Sequence, residues 1–325
     1  MPQVRNILVP IDTHENAVSV VQWATLIAHA THSSLTLLHV NESLEFMKER
    51  PGLHGGGLPS LDLTLEKWRQ HYQHEARTTL EMLMQQHCRG LSASPLVLEG
   101  RAAPMILSTI ESTRSDLVVM GTHGRPWYQR AFLGSTAEAV LRTSEIPVLI
   151  IHNSGSSPHA PRMQRMLLST DFSSASAAGE EWLRYLTQHG VREVVLVHAV
   201  ENPLLDIYSP DTADIDLKHV SEGSRQHPPR SAQPYWENAT HVAQSKLRQL
   251  RQQLLTPAAP VLQVEIVLTE GAPASAILAA ADQHDVDCIV IATHGRSGVR
   301  RFVLGSVTEK VLRSSARPVL AVHSR

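Results

Sequence analysis

The stretch from Thr122 to His152 recurs from Thr293 to His323 at a constant offset of 171 residues, with more than half of the aligned positions identical. Self-similarity over that distance places two copies of one folding unit in tandem, and it constrains every other reading of the chain. The repeat extends toward the amino end of each copy. Ile7-Leu8-Val9-Pro10-Ile11-Asp12 matches Met166-Leu167-Leu168-Ser169-Thr170-Asp171, both short apolar runs that end in Asp before a helical pattern. LTLLHV at 35–40 likewise matches VVLVHA at 194–199. At 325 residues, each copy is long enough to bury its own core. The division reads as a first domain at 1–152, a linker of Pro, Ser and Gly at 153–162, and a second domain at 163–325.

Within each copy the pattern alternates. After the second strand comes a polar, Pro-containing insertion, Asn41 to Leu65 or Glu201 to Tyr235. Helices are expected from Glu66 to Cys88 and from Trp236 to Leu255. A third strand then ends in Glu99-Gly100 or Glu270-Gly271, and a short helix leads to a fourth. The last strands are Pro147 to Ile151 and Pro318 to Val322. Strands that are apolar throughout, separated by helices, imply a parallel sheet covered on both faces. Right-handed crossovers make that a doubly wound α/β fold. Its ligands bind beyond the carboxyl ends of the strands, where the winding reverses. The two last strands are apolar sheet edges, which invite pairing, so an intrachain pseudo-dimer with approximate two-fold symmetry is expected, and a further homodimer is open.

Composition narrows the function classes. The formal net charge is −2, which argues against a nucleic-acid partner. No apolar run reaches membrane-spanning length, and the amino terminus lacks the pattern of a secretion signal, so a cytoplasmic location is expected. Cys88 and Cys288 occupy non-equivalent positions and suggest neither a disulfide framework nor a zinc site. His71, His74 and Glu75 share a helix and have metal-ligand chemistry, but a solvated face explains them as well, and no metal site is assigned.

The chemistry-bearing segment is the loop after the fourth strand. It reads Gly121-x2-Gly124-x9-Gly134-Ser135 in the first copy and Ala292-x2-Gly295-x9-Gly305-Ser306 in the second. Gly124 and Gly295 let backbone approach an anion without a side chain between. Gly-Ser opening a helix offers free N–H groups and a favourable dipole to phosphate. Arg125 and Arg130, or Arg296, Arg300 and Arg301, add positive charge. There is neither a Walker sequence nor a dinucleotide fingerprint. Other readings stand beside these. Ser135-x2-Glu138 and Ser306-x2-Glu309 fit capping boxes, Asp12 and Asp171 fit helix caps, and the glycines fit plain turns. His123 and His294 lack a nucleophile at a fixed spacing, which favours loop support over catalysis, and no catalytic residue is assigned.

The glycine spacing, the strand-terminal Asp, the LLHV strand and the PVL strand resemble the universal stress protein family, whose ATP motif is G-x2-G-x9-G-(S/T). The resemblance covers nearly the whole chain twice and is nearest the tandem, E-type members. It implies five-stranded sheets in the order 3-2-1-4-5, with ATP or a related adenine nucleotide bound, together with Mg²⁺. It implies that Pro10, Ile11, Asp12 and Val40 line an adenine pocket, with Gly121, Gly124, Gly134, Ser135 and Thr136 at ribose and phosphates. His123 and Arg125 belong to the same loop. The second set is Ser169, Thr170, Asp171 and Ala199, with Ala292, His294, Gly295, Arg296, Gly305, Ser306 and Val307. A sensor or regulatory module is the leading function. The alternatives are a slow ATPase or autophosphorylating protein, and a nucleotide-free scaffold. The sites are expected to differ. Ala292 replaces a glycine that tolerates unusual backbone angles, and Pro126-Trp127-Tyr128 enlarges the first loop, where the second has Ser297-Gly298-Val299. The first site is expected to keep the better ATP geometry.

Overall fold

The computed structural model describes residues 2–12, 17–42, 59–122, 133–152, 160–200, 233–255, 262–294 and 304–323, with backbone alone at 59–65 and 233–237. The first repeat contributes β1 (Asn6–Pro10), α1 (Ala17–Thr31), β2 (Ser34–Asn41), α2 (Pro59–His87), β3 (Ala93–Glu99), α3 (Ala102–Thr113), β4 (Leu117–Gly121), α4 (Ser135–Thr143) and β5 (Val148–Ile151). The second contributes β6 (Arg165–Ser169), α5 (Ser174–Thr187), β7 (Glu193–Val200), α6 (Gln233–Leu254), β8 (Gln263–Glu270), α7 (Pro273–Gln283), β9 (Cys288–Ala292), α8 (Ser306–Ser314) and β10 (Val319–Val322).

The strands form one ten-stranded sheet in the order β3-β2-β1-β4-β5-β10-β9-β6-β7-β8. Read from either end inward, the order is 3-2-1-4-5, as the resemblance implies. Neighbours within each half are parallel, whereas β5 and β10 pair antiparallel, with Leu149 opposite Leu320. A mirrored order about an antiparallel centre is what a two-fold axis through that seam produces. β5 and β10 are buried along their whole length, so the pairing removes two apolar edges from water.

Alternation sorts the strand side chains between two helical layers. Ile7 and Val9 join one core with Trp23 of α1, Leu80 of α2, Leu183 of α5 and Leu247 of α6. Leu8 faces the other, with Ile106 of α3, Leu141 of α4, Ile277 of α7 and Leu312 of α8. Both cores continue across the seam. There Trp23, Ile27, Trp182 and Leu186 line a small apolar cavity together with Leu149 and Leu320. Cys88 and Cys288 are buried free thiols, and burial pushes the Cys288 thiol up to about 12, so neither is a reactive group.

Short polar devices recur in both halves. Asp116 Oδ2 accepts from the amides of Arg5 and Asn6, as Asp287 Oδ2 does from Gln164 and Arg165, tying the start of the first strand to the start of the fourth. The Glu-Gly ends of the third strands have their reason in Gly100 and Gly271, which take φ of 135° and 115°, conformations that side chains disfavour. Three boundaries differ from expectation. Asn41 is the last residue of β2, α2 starts at Pro59 and α6 at Gln233, so helix takes up residues read as insertion. Proline in the first helical position needs no amide partner, which makes Pro59 a compatible start.

Candidate functional site

The ends of β1 and β4, with the start of α4, meet on one edge of the first half, and β6, β9 and α8 repeat this in the second. β4 ends at Gly121. The next residue, Thr122, is buried and its amide donates to Ile151 O at 3.2 Å. The Gly134 amide donates to Thr122 O at 2.9 Å. Thr293 and Gly305 repeat both bonds, at 2.9 and 2.8 Å. Both glycines are therefore fixed against the end of the fourth strand. A Cβ on Gly305 would meet the Thr293 carbonyl oxygen at 3.2 Å, so this close approach excludes larger residues without a shift.

Gly134 and Gly305 are also the helix caps, with φ, ψ of −61°, 146° and −61°, 143°, and neither helix start receives a side-chain cap. This corrects the capping-box reading. Ser135 and Ser306 are the first helical residues and are exposed. Glu138 and Glu309 turn along the helix to Arg142 and Arg313, at 2.9 and 2.8 Å, instead of back to the start. An α-helix leaves its first N–H groups without intrahelical partners. Two such ends, held by glycine caps that bring no side chain of their own, have the chemistry to receive an anion. Thr136 and Val307 follow them, half-buried.

At the first-strand ends the two halves share one unanticipated device. His39 Nδ1 lies 3.0 Å from Ile11 O, and His198 Nδ1 lies 2.7 Å from Thr170 O. A carbonyl only accepts, so Nδ1 carries the hydrogen in both. The histidine of each LLHV-type strand thus holds the loop that follows the first strand. The signal was present in the aligned repeats, as His39 and His198 occupy the same place in LTLLHV and VVLVHA. Pro10 and Val40 are half-buried at their strand ends, Ile11 points into the core, and Asp12 is exposed.

In the second half Ser169 and Thr170 are buried and Ala199 is half-buried. The Thr170 hydroxyl donates to Ser176 Oγ at 3.1 Å and accepts from the Phe172 amide at 3.1 Å. Glu180 lies 3.4 Å from the same hydroxyl, and burial raises its carboxyl above the usual value. Asp171 does not cap α5. Its Oδ1 accepts from the Ser173 amide in a local turn, and Ser173 Oγ takes the cap by accepting from Ser176 N. Phe172, at φ 61°, stacks against His198 with ring centroids 4.4 Å apart, and Lys246 Nζ lies 5.1 Å from its centroid.

Two further details bear on the difference between the halves. Gly121 has no positive φ, and among the described residues a Cβ there would meet only Val20 at 3.6 Å and Ile151 O at 4.0 Å. Ala292 therefore needs no unusual backbone angle, which corrects that part of the sequence argument. What the comparison missed is Thr308, whose Oγ1 donates to Ala292 O at 2.7 Å, where the first repeat has Ala137. This bond pins the first turn of α8 to the end of β9. His294 keeps its Nδ1 3.0 Å from Thr293 Oγ1, which agrees with loop support. His123, Gly124, Arg125, Gly295 and Arg296 lie outside the described residues, as do Arg130, Arg300, Arg301 and both triplets at 126–128 and 297–299. His71 pairs with Glu75 at 3.2 Å on an exposed face, and no group of three or more potential ligands is present among the described residues. No described helix is long and apolar enough to cross a membrane.

Fold and site together define a doubly wound α/β protein, duplicated within one chain, with a glycine-capped helix start beside the end of the fourth strand in each half. The sequence model of the universal stress protein family matches residues 3–152 and again 163–323, and the chain belongs to that family. A universal stress protein of Mycolicibacterium smegmatis is 25% identical over 319 residues, which cover 98% of this chain and 97% of that one. One from Mycobacterium tuberculosis is 25% identical over 322 residues, 98% and 96% of the two chains. The crystal structure of a universal stress protein from Archaeoglobus fulgidus superimposes with a TM-score of 0.60 at 18% identity, covering 99% of this chain and 97% of that one. The tandem arrangement is thus shared along the whole chain.

Proposed function

We propose that the chain binds ATP or a related adenine nucleotide at two non-equivalent sites and acts as a cytoplasmic sensor or regulatory module. The observation that carries this reading is the pair of glycine-capped starts of α4 and α8, whose cap residues bring no side chain and which are fixed at the fourth-strand ends. Phosphate oxygens would accept from those first-turn amides, with the helix dipole in favour. Mg²⁺ fits this scheme as a cation carried mainly by the phosphates, which is its usual mode with nucleotides. Base and ribose would lie toward Pro10, Asp12 and Val40 in one half and toward Ser169, Asp171 and Ala199 in the other. The division at 153–162 into two site-bearing domains is part of the same proposal.

Ser135→Glu and Ser306→Glu test it. A carboxylate in the first helical turn favours the helix by about 0.3–1 kcal/mol, so folding is preserved while an anion is repelled. Calorimetric titration of the full chain with ATP and Mg²⁺ should show each variant losing one site and the double variant losing both. Unchanged ATP affinity in the double variant, with melting temperature intact, removes the phosphate assignment.

A further inference from the structure

Each repeat ends on a histidine that reaches into the other. His323, after β10, has its Nε2 2.8 Å from Leu141 O, and His152, after β5, has its Nε2 2.7 Å from Leu312 O. Both Nε2 atoms donate, because a carbonyl can only accept. Leu141 and Leu312 occupy equivalent places in the last turns of α4 and α8, where carbonyls run out of intrahelical donors. The opposite ends of these helices are Gly134-Ser135 and Gly305-Ser306. Each helix has nine residues, so it is a short strut only ~13 Å long. The carboxyl end of each strut is thus held by the other repeat, while its amino end opens a site in its own. His294, on the segment after β9, stands near enough to His323 to disfavour its protonation. A cross-repeat ion pair, Arg313 to Glu138 at 3.8 Å, runs between the same two helices.

We propose that His323 and His152 are crossed positioning residues: each fixes, from its own repeat, the helix that opens the nucleotide site of the other, and so couples the two sites. The functional half of this rests on the nucleotide reading above, whereas the positioning half does not. Hydrogen–deuterium exchange on the nucleotide-free full chain tests positioning. His323→Ala should speed exchange at the amides of residues 138–144 by about fivefold, the worth of one hydrogen bond, and leave those of 309–315 unchanged. His152→Ala should do the reverse. His323→Gln, whose terminal amide can reach the same carbonyl, should restore most of the protection. Exchange that rises in the mutated repeat itself, or equally in both helices, overturns the proposal. Coupling is read in the Ser306→Glu chain, where site one alone is left. There His323→Ala should weaken ATP binding about fivefold, and crossed exchange with unchanged ATP affinity refutes the coupling. A wild-type chain that takes up no ATP would remove the nucleotide reading, and the exchange pattern alone would then decide the positioning role.

Discussion

Thr308→Val isolates the bond that distinguishes the two helix starts. Thr308 is 3% exposed, and its hydroxyl donates to Ala292 O at 2.7 Å, a short and enclosed contact. Valine keeps the side-chain shape and nearly the same helix propensity, so the change removes the donor and little else. Losing such a bond costs about 1 kcal/mol net, and about 1–3 kcal/mol when the acceptor stays buried. The added methyl recovers up to about 0.8 kcal/mol by burial. The expected destabilisation is therefore about 1–2 kcal/mol. Urea unfolding of the full chain should show a lower midpoint with an unchanged slope. Amides at the start of α8, such as Glu309, which bonds to Gly305 O at 2.8 Å, should exchange faster, while those of α4 stay as they are. A midpoint unchanged and α8 equally protected would mean that the hydroxyl does not anchor this helix, and the structural difference between the sites would lose its main support.

Gly305→Ala places a methyl 3.2 Å from Thr293 O, so it should destabilise the chain by about 1–3 kcal/mol by crowding a packed site. Gly121→Ala should cost little, because its new contacts are ordinary; thermal melts of the two variants make the comparison. Acid should weaken the fold partly through His323. Burial lowers its pKa below the usual value, His294 adds to that, and the carbonyl contacts to Leu141 and Ile146 oppose it. The folded state then binds fewer protons than the unfolded, so this contribution to stability is present above the ordinary histidine pKa of about 6.5 and is lost as pH falls from there to the lowered value. His323→Gln should flatten stability over that window in denaturant titrations at a series of pH values, and a slope identical to wild type would refute the assignment.

What the sequence revealed and what it hid follow from the kind of force involved. The strands themselves and the pairing of Val148–Ile151 with Val319–Val322 were legible because burial on both faces leaves uninterrupted apolar runs, and because duplication showed each run twice, whereas the order within each half came from the family resemblance. The helix starts were read one residue late. Ser-x-x-Glu has the form of a capping box, yet Gly134 and Gly305 take the cap because their amides must reach Thr122 O and Thr293 O. That requirement is tertiary and leaves no local mark. Glu138 and Glu309 had a visible competitor in Arg142 and Arg313, four residues on, and the ion pair prevailed over the box. His39 and His198 were hidden in plain view, since a histidine inside an apolar strand reads as part of the run. Thr308 carries no local mark of its role, because a threonine in a first helical turn reads as ordinary helix and only the fold brings its hydroxyl to Ala292 O.

The union of β5 with β10 has a consequence for inheritance. In an assembly of two identical chains, a substitution near one ligand site alters its symmetry mate as well, and both must tolerate it. Here the mates are separate codons on one message, joined at a fixed ratio whatever the abundance of the protein. Dilution cannot part them, as the second half is always at hand. Ala292 and Thr308 in one half and Gly121 and Ala137 in the other are therefore differences that an assembly of identical chains could not hold. Duplication gives such a chain room to change one half without changing the other.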